Sequence, residues 1–229
     1  IYGQFDTIDW AAGPYFIDVR TDPTGGTNYN SIMGLAEFCS VPYALYAKSA
    51  GTVSGGGSGG NFTHYIGEQF GGGIIFHLWK DAQGAEHGLI VDKTDLSTSQ
   101  VWSNIQTTLI GASAQSSWDG LSNSNAIVGQ AGHTSSAAAL CLNSTNNGQI
   151  DWYLPSILEL NMLWNKYYTV TRSISQIAGA TQLGNNAYYW SSSESYTANN
   201  AWTFYVGGYG TSASYSKNGT CFVRAVRAF

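Results

Sequence analysis

The sequence predicts an α+β protein, with a C-terminal head of mixed sheet and two or more helices behind a small β-rich piece. Three observations predict it. Apolar residues alternate in two separate groups of segments, one around His77 and one after Ala187, as strands require. Between those groups, "DWYLPSILELNMLWNKYY" (Asp151 to Tyr168) carries helical spacing and a helix-start signal. Finally, "GTVSGGGSGGN" separates the first fifty residues from the rest, and six of the ten residues from Gly51 to Gly60 are Gly. Such a run neither packs nor holds regular structure cheaply, so it reads as a flexible linker. The expected organisation is 1–50 as a stalk or oligomerisation module, 51–61 as linker and 62–229 as head.

Within the first piece, "GPYFIDVRTD" alternates and is β-rich, and Asp22 to Gly26 is a turn signal. "NYNSIMGLAEF" is the expected returning strand, and "SVPYALYAKSA" a short helix or extended exit. Two or three strands in fifty residues do not bury an independent core. Tyr15, Ile17 and Val19 would lie on one face and Phe16 on the other, with Val41, Tyr43, Leu45 and Tyr46 in a stretch too short to cover them. Missing upstream strands or neighbouring copies must do so, and the expectation is a homotrimer. The start at Ile1 reads as a piece of a longer protein.

In the head, Gly71–Trp79 and His87–Asp92 read as strands joined by the hairpin turn "DAQGAE". Val101 to Asn147 reads as short helices in long loops, with Ser135–Leu142 the best helix. Ser156 and Glu159 form an S-x-x-E capping box after Pro155. Ile157, Leu160, Trp164 and Tyr167 follow at helical spacing and are expected in the core. "YYWSS", "AWTFYV", "TSASYS" and "CFVRAVRAF" read as strands. In the second of these, Trp202, Phe204 and Val206 share one face and Thr203 and Tyr205 the other. These late strands must pair with early ones.

Charged residues are 10% of the chain, aromatics 14%, and the net charge is −5. Scattered Lys and Arg exclude a nucleic-acid partner, which needs a basic stripe. No apolar run approaches the ~20 residues of a membrane helix, so no membrane insertion is expected. The three cysteines, Cys39, Cys141 and Cys221, form no CxxC pair. Two readings stay open for them: three free thiols, or a Cys141–Cys221 bridge. His64, His77, His87 and His133 lack metal-ligand spacing and read as hydrogen-bonded structural residues, with His77 facing His87 across the hairpin. There is no G-x-S-x-G, and Cys141 lies in an alanine-rich helix. The nearest paired carboxylates, Asp92 and Asp95, read as a loop start. The expectation is therefore not an enzyme.

The motifs "DWYLPSILEL", "YYWSSSE", "NNAW" and "FVRAVRAF" carry a resemblance. Asp151, Trp152, Leu154, Pro155, Glu159 and Leu160 give the D-W-x-L-P-s-x-x-E-L pattern. Tyr189, Trp190, Ser191 and Ser192 give Y-W-S-S, Ala201 and Trp202 give a-W, and Val223, Arg224, Val226 and Arg227 give V-R-x-V-R. From about Tyr65 to Phe229 the chain resembles the Lcl C-terminal domain family and the related FISUMP-type domains of bacterial surface proteins. The resemblance implies a C-type-lectin-like fold, an extracellular or appendage location and adhesion. The N-terminal piece resembles a stalk module of Bacteroidetes surface proteins. The lectin calcium signatures E-P-N, Q-P-D and W-N-D are absent. No cofactor is expected, although a single structural calcium elsewhere stays open.

From Tyr188 onward the chain is rich in Tyr, Ser, Gly and Asn, the alphabet of adaptable recognition surfaces. The expected ligand-binding residues are Tyr196, Asn199, Asn200, Tyr205, Tyr209, Tyr215 and Asn218. Asp151, Trp152, Trp190, Trp202, Arg224 and Arg227 are expected to be structural, with the tryptophans in the core and an Asp–Arg pair tying the helix entry to the last strand. Thr203 to Phe222, apart from Lys217, also fits the residues that an adenine-directed mutator makes from Asn codons. Diversification and a plain Tyr-rich solvent-facing sheet both satisfy that composition. The function expected is an extracellular binding or adhesion module for a glycan or protein ligand on another surface. The alternative is a structural cap or spacer in an appendage or fibre.

Overall fold

The computed structural model of the chain describes residues 16–22, 24–27, 30–37, 62–207 and 210–229. The chain divides into two units, Ile1–Ser58 and Gly59–Phe229. In the first, β1 (Phe16–Thr21) and β2 (Asn30–Glu37) pair antiparallel. Asp22 sets the turn: its carboxylate accepts from the Thr24 N–H at 2.9 Å, and Gly25 follows at φ 78°. The faces of these strands, the segment holding Val41 to Tyr46, the linker 51–61, Cys39 and Tyr209 lie outside the described residues or side chains. The trimer expectation rests on them.

The head is α+β. Among the described residues it holds two sheets and four α-helices. β3 (Gln69–Phe70), β4 (Gly73–Lys80) and β5 (Glu86–Asp92) form a meander, and β11 (Val226–Ala228) adds to β5, giving the order β11-β5-β4-β3. The β4–β5 turn is held by the Asp81 carboxylate, which accepts from the N–H groups of Gln83 and Ala85, at 3.0 and 2.8 Å. The second sheet joins β6 (Ser97–Val101), β7 (Ala187–Glu194), β8 (Asn200–Val206), β9 (Thr211–Ser216) and β10 (Thr220–Val223) in the order β6-β10-β7-β8-β9. The chain end crosses from one sheet to the other through Arg224 and Ala225. Phe229 then exchanges two backbone bonds with Gly88, each 3.1 Å, so late strands do close on early ones.

The helices are α1 (Gly120–Val128), α2 (Ala137–Leu142), α3 (Ile157–Asn165) and α4 (Tyr167–Ile174). Asp119 and Ser136 cap α1 and α2, and the Ser156–Glu159 capping box opens α3. The single long helix expected here is two, because Lys166 leaves helical geometry at φ −113°, ψ 13°. That break re-aims the apolar stripe. Leu160, Leu163, Val170 and Ile174 are buried, while Ile157, Trp164 and Tyr167 only pack against the core edge.

Two cores flank β7 and β8. One holds Ile74, Phe76, Val91, Leu160, Leu163, Tyr189 and Phe204. The other holds Ile75, Ile90, Trp102, Ile127, Trp152, Trp190 and Val223. The three fully buried tryptophans each donate the indole N–H to a carbonyl: Trp102 to Ser191, Trp152 to Asn146 and Trp190 to Gln100, at 2.8, 3.1 and 2.7 Å. These bonds let a large ring be buried without an orphaned donor. Cys141 and Cys221 are buried free thiols, so the bridge between them is excluded, and burial pushes the Cys221 thiol up to about 12.

Candidate ligand-binding surface

The charged side chains of the C-terminal strands are engaged inside the scaffold. Arg227 grips Asp151 bidentately, Nε to Oδ1 at 2.6 Å and Nη2 to Oδ2 at 2.8 Å, and donates to the Gly71 carbonyl at 3.0 Å. This ties the residue before α3's entry to the last strand, and the bond from Arg227 holds the Asp151 carboxyl below its usual range. Arg224 goes elsewhere. It is buried, pairs with Asp95 at 2.7 Å and donates to the carbonyls of Asp92 and Thr181, at 2.9 and 2.8 Å. Burial raises the Asp95 carboxyl despite Arg224 beside it. Asp92, fully buried, accepts from Asn146 Nδ2 at 2.7 Å. Both carboxylates weighed as a catalytic pair are thus committed to structural bonds.

Lys217 is the exception in the Thr203–Phe222 run, and its position explains why. It is fully buried, its Nζ lies 2.6 Å from Glu194 Oε1, and it sits 4.7 Å from the Trp102 ring centroid. Glu194 also accepts from the N–H groups of Ile110 and Gly111, at 3.0 and 2.8 Å. The ion pair therefore anchors the β9–β10 turn and the 108–111 loop to the end of β7.

Each histidine has a neighbour. His64 meets Glu68 at 3.1 Å, His87 meets Asp81 at 3.3 Å and His133 meets Ser136 at 2.9 Å. His77 does not face His87: it pairs in register with Leu89, and Trp79 pairs with His87. The β-bulge between Ile75 and His77 moves His77 from Gly88 to Leu89, and Trp79 stacks between the two imidazoles at 5.6 and 5.5 Å. Among the described residues no three His, Cys, Asp or Glu side chains converge as metal ligands.

Uncharged residues of β7, β8 and β9 reach the surface on both faces of the sheet. On one face Tyr188 pairs directly with Tyr205, their centroids 4.8 Å apart, and Tyr188 lies parallel to Tyr215 at 6.1 Å. Tyr205 donates its hydroxyl to Asn186 at 2.9 Å. On the other face lies an open groove of about 290 Å³. Trp202 forms part of its lining and is half-buried, not in the core as expected. Phe204, on the same face, is sealed by the core and by Trp164, whereas Trp202 borders the open groove beside Leu158 and Asn161 at the start of α3. Tyr196, 83% exposed, stands over the groove. Leu158 and Asn161 on α3, Gln115 and Ser117 in the loop before α1, Ser193 and Glu194 at the end of β7, and Ser212 on β9 also line it. The hydroxyls of Ser117 and Ser212 engage no partner among the described residues.

The expected ligand-binding residues therefore divide. Tyr196 belongs to the Trp202 groove. Asn200 is beside it, donating to Ser214 at 3.2 Å. Tyr205 and Tyr215 belong to the tyrosine face. Asn199 lies at the β9–β10 turn, where its carbonyl accepts from the Lys217 N–H at 2.8 Å, and Asn218 is the exposed residue next along that turn. Sequence reasoning missed Tyr188, Gln115, Ser117 and Asn161. Tyr188 was readable, since alternation puts it opposite Tyr189 and with Tyr205. Gln115 and Ser117 come from a loop whose path no local pattern fixes.

The description of the Lcl C-terminal domain family matches residues 93–227, more than half of the chain. The chain belongs to the Lcl C-terminal domain family, a domain type commonly found in extracellular proteins. No curated protein matches the chain. Among the described residues no helix is long and apolar enough to cross a membrane.

Proposed function

We propose that this chain is an extracellular binding module that attaches a surface protein to a ligand, a glycan or a protein, on another surface. The observation that carries the reading is the Trp202 groove. A half-buried indole, an exposed tyrosine, the unengaged hydroxyls of Ser117 and Ser212 and the amides of Gln115 and Asn161 converge there, and the charged side chain in the lining, Glu194, is already paired with Lys217. Tyr and Trp supply broad contact at small entropic cost, and Ser, Asn and Gln supply adaptable hydrogen bonds. A C-type-lectin-like placement of the head and diversification of its surface belong to the same reading. Ser212, Ser214, Tyr215 and Asn218 reach solvent, whereas Lys217 and Cys221 are buried.

Binding of the chain to glycan arrays and to whole cells tests this, comparing wild type with Tyr196→Ala and Ser212→Arg. Both positions are exposed, so the fold is expected to survive. Loss of binding in both variants is the expected result. Binding retained by both removes the groove from the proposal. Sibling sequences from one genome, compared over Thr203–Phe222, test the diversification part: differences scattered evenly over buried and exposed positions would refute it.

A further inference from the structure

A second groove lies on the other side of α3. The first is bordered by Leu158 and Asn161, the second by Glu159 and Met162. The second encloses about 430 Å³ between α3 and the β4–β5 hairpin. Its walls are aromatic: Trp79 on β4, Trp118 just before α1 and Tyr153 before α3. Trp118 is 70% exposed and Trp79 38%, although exposed indoles are usually tucked against something apolar. Two acidic side chains, Asp119 and Glu159, reach the same space, and no Lys or Arg lines it.

The two acids offer few free acceptors, and burial pushes the Glu159 carboxyl above its usual range, so the charge facing the groove rests on Asp119. Glu159 accepts from the Tyr153 hydroxyl at 2.8 Å on one oxygen and from the Ser156 N–H at 2.7 Å on the other. Asp119 accepts from the Ser122 N–H at 2.9 Å with Oδ1. His77 adds no positive charge at neutral pH, because burial and the field of Lys166 hold its imidazole below the usual range. His87 is turned to Asp81. The groove thus joins negative potential to aromatic faces, whose quadrupoles attract cations. A lysine-type ammonium brings three strong donors that require acceptors. A trimethylammonium group brings none, and its methyl groups suit apolar walls.

We propose that this groove binds a small quaternary ammonium ion of the choline type, with Trp118 and Trp79 against the methyl groups and Asp119 supplying the opposing charge. The site is separate from the Trp202 groove and does not depend on it.

The test is titration of the whole chain with choline chloride, followed by tryptophan fluorescence and by NMR of the indole N–H signals. Controls are sodium chloride, n-butylammonium chloride and 3,3-dimethylbutan-1-ol, the neutral carbon analogue of choline. Saturable choline binding near the millimolar range is expected, with the neutral analogue about tenfold weaker. Trp118→Ala removes an exposed ring and Asp119→Asn keeps a good helix cap, so both variants should fold. Each is expected to weaken choline by about three- to tenfold. The proposal is overturned by no saturable change up to about 100 mM choline. It is equally overturned if either control binds as tightly as choline, or if Trp118→Ala leaves binding unchanged.

Discussion

β7 reads AYYWSSSE and β9 reads TSASYS, and the two strands flank β8 on opposite sides. Both are serine-rich with tyrosine. In β7, Ser191, Ser192 and Ser193 are all buried, and each is bonded. Ser191 donates to the Trp202 carbonyl at 2.7 Å, Ser192 accepts from Asn123 at 3.4 Å and Ser193 donates to the Ser116 carbonyl at 2.8 Å. In β9, Ser212 and Ser214 are exposed. The difference is position. β7 is the middle strand of five, buried from Tyr189 to Glu194, while β9 is the edge. Serine is small enough to let α1, α3 and the 115–119 loop press onto β7, provided every hydroxyl finds a partner. The same composition therefore builds a packed interior in one strand and a solvent-facing edge in the other.

The largest effect should come from Lys217, one residue past β9 yet wholly buried. Replacing it with Met leaves Glu194 as an uncompensated buried charge, and a loss of about 3–5 kcal/mol is expected in thermal or urea unfolding. A loss below 1 kcal/mol would mean the turn belongs to the edge and not to the scaffold. Next come the serines themselves. Ser193→Val in β7 should cost about 1–3 kcal/mol, because the Ile157 N–H, 3.1 Å from its hydroxyl, and the Ser116 carbonyl both lose a partner. Ser212→Val in β9 should stay within about 0.5 kcal/mol. Equal costs in the two would end the comparison.

The smallest effect concerns Asp151, half-exposed in its pair with Arg227. Asp151→Asn should cost about 1 kcal/mol or less at neutral pH. The Asp151 carboxyl is depressed below its ordinary 3.8 in the folded chain, so its contribution is complete above that value and is lost as pH falls through the folded pKa. Denaturant midpoints of wild type and variant should therefore converge below about pH 3.8. A gap that persists there would assign the loss to packing.

Much of the head was legible because its signals are local. The β4–β5 hairpin, the Ser156 cap and the alternation of Trp202, Phe204 and Val206 each follow from a few adjacent residues. What a single strand pattern cannot state is its place in the sheet. Alternation puts Trp202 beside Phe204 on one face, but it does not say that the core and Trp164 seal Phe204 while Trp202 is left at a groove. The break at Lys166 was likewise hidden, since "NKYY" carries no Gly or Pro and the helical spacing runs through it. The destination of Arg224 was hidden for another reason: its partner Asp95 lies 129 residues away, and spacing between the two arginines says nothing about separate carboxylates.

The order in which the sheets close has a consequence for how the head is made. β10 sits between β6 and β7, and β11 completes the sheet begun by β3, β4 and β5. Neither sheet is whole until Thr220 to Ala228 has left the ribosome, and the Arg224 bonds to Asp92 and Asp95 span most of the head. Contacts this distant in sequence make folding slow. The emerging chain can pair β3 to β5 and β7 to β9 by themselves, but it holds both sheets unfinished, each with one strand edge unpaired, until its last residues arrive.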